Sequence, residues 1–600
     1  MQAQEVGINL QINPSVANAW QKLSAQQFYK TTSAADTLDL PFLDDFSKGG
    51  VYPDSTLWQD KFVFINRTWA MNPPTLGVAT FEGLDQNGYP YNFNASISSS
   101  NLADHLTSKY IRMGTSLSAA DSVYLSFFYQ AKGIGNEPEP NDSLILEFRT
   151  PTKNWTRVWY KKGYLPTVTD TLFHLVMVPV KDASYFENGF QLRFKNYATL
   201  CGNLDHWHID NVYLNKNRTK NDTVFKDMSF VYNSPSLLKN YMSMPWEQFQ
   251  SAEMKDTLHM VIRNNDTTSN NTSYVDTVYD NTGSIIGNYN GGLCNVQPFL
   301  TTGYDNCTTH LKQKINFSFP AMADTATFTT KHVLSAITDV NRKNDTLKCY
   351  QQFKNYYAYD DGTAEEGYGL SGTNAKLAVQ FKVNVTDTIR GIQLFFNPIV
   401  NNVNLAGFKI AVWNDNAGKP NSVIKDSAVY LKYGKHINEF TTYLFNPGQS
   451  IVLTPGIYYA GWIQTSNTLL NIGRDKNTNS QSKTFFNTSG TWQNTSLKES
   501  IMVRPLLGNK SVITNVEAIA NAIQDYEVYP NPANDKLHID FGNFRQIKVN
   551  IYDIAGRQIF SENSTPDFIV DIANLSAGIY FIAPQSKEVI YPVKKIIISK

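Results

Sequence analysis

The sequence predicts an all-β, multidomain chain of tandem β-sandwiches, and three observations lead there. Short runs of β-branched and aromatic residues alternate with polar ones at period two, clusters of Gly, Pro and Asn bound the runs, and long amphipathic helical periods are nearly absent. Aromatic residues make up 13% of the chain, with 33 Tyr and 35 Phe, against 17% charged residues; such rings pack well on a pleated, half-buried surface. At 600 residues the chain exceeds what one core supports, so several domains are expected.

In chain order, residues 1–38 read as an N-terminal arm in which only 17–29 suggest a short helix. Residues 39–218 carry about eight strand-like runs between polar loops, which predicts a jelly-roll-like sandwich. Its opening, Leu43-Asp44-Asp45-Phe46, and its closing run, His208 to Leu214, resemble the first and last strands of jelly-roll carbohydrate-binding and MAM-like domains. That resemblance implies that the two end strands lie side by side and that an acidic group from each holds a calcium ion. Residues 219–353 are polar and Asn/Thr-rich with about seven alternating strands, the pattern of an immunoglobulin-like spacer. A second jelly-roll-like sandwich spans 354–508, opening on Asp360-Asp361-Gly-Thr-Ala-Glu365, and 509–525 form a linker with a short helical stretch at 516–523.

Residues 526–600 read as a small C-terminal β-sandwich. Pro530 and Pro532 remove two backbone donors and fix φ, so Tyr529-Pro530-Asn531-Pro532 is an extended lead-in rather than a central strand. The run from Val549 to Ile554 closes on Ala555-Gly556, where glycine tolerates the positive φ of a hairpin turn, and the next strand restarts at Arg557. Gly578 repeats the device before Ile579-Tyr580-Phe581-Ile582, and the terminus is basic from Lys594 and Lys595 onward. The Pro-Asn-Pro lead-in, the Tyr-Asp-x-x-Gly-Arg turn and the Leu-x-x-Gly-x-Tyr strand, in that order, resemble the type A C-terminal sorting domain of Bacteroidetes type IX secretion substrates. The resemblance implies that these residues form an export address, read by the outer-membrane translocon and cut off by a cell-surface sortase, with 509–525 the segment within reach of cleavage. It implies a secreted or cell-surface fate reached through the periplasm. The first residues, Met1 to Gly7, lack the basic and apolar regions of a signal peptide, so a trimmed or upstream leader is expected.

Lys+Arg and Asp+Glu are equal at 52 each, which leaves no field to draw nucleic acid or an anionic membrane. No window approaches the roughly 18 apolar residues of a membrane span. The 4 cysteines are too few for a disulfide scaffold. Cys294 and Cys307 bracket a Gly/Asn-rich loop as a candidate disulfide worth about 3 kcal/mol in the entropic model.

Calcium takes about six to eight hard oxygens, and Asp44, Asp45, Asp210 and Asn211 are the first candidate set. Asp360, Asp361 and Glu365 form a weaker second one. His206, His208 and Asp210 share parity on one strand, as a transition-metal face would, but Val212 and Leu214 share that parity too, which lines ligands up with core residues unless a bulge intervenes. Trp58, Trp69, Trp155, Trp159, Trp413, Trp462 and Trp492 are candidates for stacking on sugar faces, against a plain core role. No catalytic motif is present: no His-Glu-x-x-His, no Gly-x-Ser-x-Gly and no phosphate-binding loop. Glu137, Glu139 and Asp142 imitate a glycosidase pair but read better as a solvated turn. The expected function is a non-enzymatic surface or secreted protein that binds glycan or surface protein, in adhesion or the gliding machinery; the alternative is a secreted hydrolase of polysaccharide or protein.

Overall fold

The computed structural model describes residues 4–26, 37–114, 117–150, 154–164, 170–304, 307, 310, 312–315, 317, 319, 325–400, 406–434, 437–445, 451–508, 526–541, 547–554, 557–564, 568–585 and 593–600. The chain divides into two compact units, Met1–Leu507 and Gly508–Lys600. The predicted linker 509–525, its helical stretch and Gly556 lie outside the described residues. Apart from one N-terminal helix and a few single turns the fold is all-β, as tandem β-sandwiches.

In the first sandwich one sheet has the order His174–Pro179, Tyr124–Ala131, Trp207–Asn215, Val78–Phe81, Phe64–Asn66, with Phe42–Asp44 also paired to Trp207–Asn215. The facing sheet runs Asn101–Thr107, Asn188–Ala198, Ser143–Arg149, Trp155–Lys162. Phe127, Phe148, Phe194 and Trp207 are 0% exposed between them, each burial contributing on the order of 1.5–3 kcal/mol. The end strands do lie side by side, Val212 opposite Asp44. Strand Trp207–Asn215 breaks register between Asp210 and Tyr213, with Asn211 at φ 49°. This bulge lets Trp207 and Ile209 before it, and Val212 and Leu214 after it, enter the same core. His208 and Asp210 are thereby turned to the other face of the sheet.

The middle and second sandwiches share one continuous core. Strict alternation is visible in Asn270–Tyr279 and Ala326–Ala336, whose side chains are buried at every second position. They lie in a sheet with Ile285–Val296, Thr346–Lys354 and the parallel strand Ser243–Pro245. Cys294 and Cys307 are joined by a disulfide, with Cα atoms 6.5 Å apart, while Cys201 and Cys349 are free thiols. The second sandwich stacks a sheet of Lys419–Tyr430, Gly407–Asn416, Gly456–Gln464, Lys376–Val383, Thr484–Asn487 and Gln493–Asn494 on one built around Asp387–Leu394.

The first residues are tied to both large sandwiches. Glu5–Ile8 forms the edge of a sheet with Glu366–Leu370 of the second. Asn13 caps the helix Pro14–Gln26 through its Oδ1, which accepts from Ser15 and Val16 N–H at 3.0 and 3.2 Å. Its Nδ2 donates to both oxygens of Glu82 in the first sandwich at 2.9 Å. Glu82 is 3% exposed; burial above all, with the Asp104 carboxylate adding, pushes it up to about 8. A carboxyl whose folded pKa is raised contributes stability that is whole below its unfolded value and is lost as pH rises through the folded one. Between pH 5 and 8 the wild type should therefore lose about 1.4 kcal/mol per pH unit that Glu82→Gln does not. Urea midpoints at several pH values measure this, and parallel profiles would refute it.

The C-terminal unit packs Glu527–Tyr529, Lys536–Asp540 and Phe568–Asp571 against Gln558–Ser564, Ile547–Asp553, Gly578–Gln585 and Lys594–Ile598. Leu537, Ile539, Val549, Ile551, Ile582 and Ile596 fill its core at 0% exposure. The motif residues have structural work here. Asn531 donates to the Lys595 carbonyl at 3.1 Å and accepts from Ile597 N–H at 2.8 Å, stapling the Pro-Asn-Pro lead-in to the last strand. Arg557 donates from its backbone and its Nε to the two oxygens of Asp553 at 2.9 and 2.7 Å, which ties the start of one strand to the end of the one before it. Tyr580 donates to the Ser576 carbonyl at 2.9 Å, Gly578 pairs with Ile598, and the Lys594 ammonium bonds the Tyr526 carbonyl.

Candidate functional site

The three carboxylates of the first predicted set accept from separate donors, while Asn211 Oδ1 has no hydrogen-bond partner. Asp44 accepts from Trp58 Nε1 at 2.7 Å and Phe46 N–H at 3.0 Å. Asp45 turns to the middle sandwich, accepting from Asn341 and Asn344 at 2.8 and 3.0 Å. Asp210 accepts from Thr75 N–H and Oγ1, both at 2.9 Å. Asn211 is buried at the bulge. In the second set, Asp360 already holds a cation, the Arg504 guanidinium, through both carboxylate oxygens. Asp361 and Glu365 share the Thr363 hydroxyl at 2.7 and 3.1 Å, and Asp475, unremarked in the sequence, joins them by accepting from Asp361 N–H at 2.7 Å.

The two histidines have separate partners. His206 stacks on Trp69 at 4.8 Å, takes Asn136 N–H on Nδ1 at 2.9 Å and meets Asn203 Oδ1 from Nε2 at 2.7 Å. His208 lies 2.9 Å from Thr80 Oγ1 and 3.1 Å from the Lys132 carbonyl. Burial pulls them down to about 3 and about 4, so both are neutral, and every ring nitrogen is spoken for. Trp58, Trp69, Trp413 and Trp462 are core, while Trp155, Trp159 and Trp492 keep partial exposure.

The carboxylates that do converge are Glu139, Asp142 and Asp205, whose ligand atoms all lie within 4.8 Å of one another. Glu139 and Asp142 come from the link between Tyr124–Ala131 and Ser143–Arg149, and Asp205 from the turn before Trp207–Asn215. Partial desolvation first, then the Asp205 and Asp142 carboxylates, push Glu139 up to about 8. The sequence placed Glu139 and Asp142 in one loop but carried no signal that Asp205 would meet them.

A cleft of about 600 Å³ opens where the three sandwiches of Met1–Leu507 meet. The first supplies Arg67, Met71 and Ile134, the middle one Tyr232, Lys239, Tyr241 and Lys255, and the second Tyr359, Asp361 and Lys476. The polar rim is rich in amides, from Asn233, Asn240, Asn477 and Asn479. Arg67 is anchored by donating to the Ser47 carbonyl at 2.8 Å and Lys255 to the Ser236 carbonyl at 2.7 Å. Lys476 bonds the Ile134 carbonyl and lies 3.3 Å from Glu366.

Fold and site together define a multidomain β-sandwich protein with an inter-sandwich cleft and a separate small terminal module. Residues 527–599 match the family of secretion system C-terminal sorting domains, so that module is the sorting domain of a type IX secretion substrate. A comparison with curated proteins finds no match. Similar solved structures include the glycoside hydrolase domain of Endo-D from Streptococcus pneumoniae R6, at 9% identity and TM-score 0.18, over 50% of this chain and 37% of that one. The N-terminal tandem CBM22-1-CBM22-2 domain of Paenibacillus barcinonensis Xyn10C matches at 6% identity and TM-score 0.19, over 79% of this chain and 100% of that one. Bacteroides uniformis β-glucuronidase matches at 9% and TM-score 0.18, over 47% and 30%. The chain thus spans about a third of the length of either glycosidase. Among the described residues no helix is long and apolar enough to cross a membrane.

Proposed function

We propose that this chain is a secreted or cell-surface binding protein, exported by the type IX system, that takes an extracellular glycan in the cleft between its three sandwiches and uses calcium as its cation. The sorting domain engages the translocon and a sortase releases it. The observation that carries the binding reading is the composition of the cleft: Tyr and Met surfaces for the apolar faces of sugars, amides for their hydroxyls, and Arg67, Lys239, Lys255 and Lys476 against the Asp361 carboxylate. That balance favours a glycan bearing carboxylate or sulfate groups. Lys239 is exposed at the rim, so Lys239→Glu leaves the fold intact. On an array of acidic and neutral glycans the wild type should retain acidic ones, and the variant should bind them at least about tenfold more weakly. Equal retention by both proteins would refute the cleft as the site.

A second reading, a secreted hydrolase of polysaccharide or protein, is favoured by Glu139, a raised carboxyl beside two others as a general acid would be. Turnover of a polysaccharide or protein substrate that Glu139→Gln abolishes would establish it in place of pure binding.

A further inference from the structure

We infer that Glu139, Asp142 and Asp205 are a calcium site that clamps the loop at 134–142 onto the turn before strand Trp207–Asn215. Asp205 is 1% exposed and Asp142 2%. Each spends one oxygen on a backbone donor: Asp142 Oδ2 accepts from Glu139 N–H and Asp205 Oδ2 from Thr199 N–H, both at 2.7 Å. Asp205 Oδ1 has no hydrogen-bond partner although it is buried. Among the described residues no Lys, Arg or His forms an ion pair with any of the three carboxylates. Lys132, just before the loop, is engaged with Glu137 at 3.3 Å. Carboxylates gathered this closely, with an orphaned buried oxygen among them, repel one another until a cation or a proton sits between them.

The donor set selects the cation. All the free ligand atoms are oxygens, because His206 and His208 use both ring nitrogens elsewhere. Soft and nitrogen-preferring metals are disfavoured by that set. Opposite ligands of calcium stand about 4.6–5.2 Å apart, twice its 2.3–2.6 Å bond length, whereas those of magnesium stand about 4.0–4.2 Å apart. The three carboxylates, with ligand atoms all within 4.8 Å of one another, are close enough to share one hard cation. Glu139 is exposed, giving the ion a path from solvent, while the buried pair excludes competing water.

The loop is packed for such a clamp. A Cβ on Gly135 would meet the His206 ring at 2.6 Å and one on Gly163 the Glu139 carbonyl at 2.0 Å, so neither wall of the loop can be moved outward by substitution. Asp205 N–H donates to Asn136 Oδ1 at 3.2 Å, and His206 N–H to the Asn136 carbonyl at 3.0 Å. Ile134, at the foot of the loop, lines the cleft. The consequence for ligand binding rests on the cleft reading given above; the metal site itself does not.

The test uses the full chain, titrated with calcium by calorimetry and melted in calcium or in chelator. We expect saturable binding and a melting temperature raised by several degrees once calcium is about 100-fold above Kd. Glu139→Gln should weaken binding at least about tenfold and abolish the thermal response, while its chelator-treated melting temperature is at least that of the wild type, because the crowded site no longer has to take up a cation or a proton. Asp361→Asn, in the other acidic group, should respond like the wild type. An absent calcium response, an unchanged response in Glu139→Gln, or a response lost only in Asp361→Asn would overturn the assignment. Glycan binding measured in parallel separates the two ideas: calcium uptake without any glycan retained upholds the metal site and removes the cleft reading.

Discussion

Arg504→Ala is expected to destabilise the Met1–Leu507 unit by about 3–5 kcal/mol, the cost of removing one partner from a buried ion pair. Asp360 has a side chain 0% exposed and receives the guanidinium through both oxygens. The same guanidinium donates to Tyr356 Oη at 3.2 Å and lies 3.7 Å from the Phe440 ring centroid. Once it is gone, the described donor left to the carboxylate is Gly362 N–H at 3.1 Å. A charge held out of water on so little is what makes the loss large. Arg504 sits on the last strand of the second sandwich, Val503–Leu507, and Asp360 precedes its first, so the pair fastens the beginning of that domain to its end. The double variant Arg504→Met with Asp360→Asn should cost less than Arg504→Ala alone, since no orphaned charge remains. Urea unfolding of the three proteins decides it; a loss under about 1 kcal/mol in Arg504→Ala would show that the carboxylate finds water or a proton instead.

Removing residues 526–600 should end delivery to the cell surface or medium, leaving a folded remainder in the periplasm. The core of the terminal module draws only on residues from Tyr526 onward, and the two large cores draw on none of them. The truncated chain should thus melt as the same unit does in the whole protein. Arg557→Ala makes a finer version: Arg557 is 83% exposed along its side chain and paired with Asp553, so its loss spares the core and alters only an exposed part of the module, and export should fall if that part is recognised. Fractionation of a type IX-competent host expressing each form measures the outcome. Undiminished export of the truncated chain would remove the sorting role.

The legible part of the molecule was whatever a single strand states about itself. Alternation in Asn270–Tyr279 and Ala326–Ala336 announces one buried face, and Pro530 and Pro532 announce where the strand Glu527–Tyr529 must stop. What failed to show depended on partners far away. Asp45 looked like half of a calcium pair because nothing nearby reveals Asn341 and Asn344, 296 and 299 positions downstream. Asp360 looked the same because its guanidinium lies 144 positions on. The parity argument over His206, His208 and Asp210 turned on one residue, Asn211, whose φ of 49° lets the strand change face. Glu139 and Asp142 read as a solvated turn for the same cause: Asp205 arrives only once the sheets are stacked. Four of the candidate tryptophans proved to be core, since periodicity does not distinguish a ring covered by a loop from one left open.

The strand Glu5–Ile8 finds its neighbour only at Glu366–Leu370. A ribosome adding about 5–20 residues per second needs roughly 20–70 s between making the first and the second. Until then the edge has nothing to pair with, and the body cannot lock early. An exported precursor is served by such lateness: this edge closes only once nearly three quarters of the Met1–Leu507 unit has been synthesised.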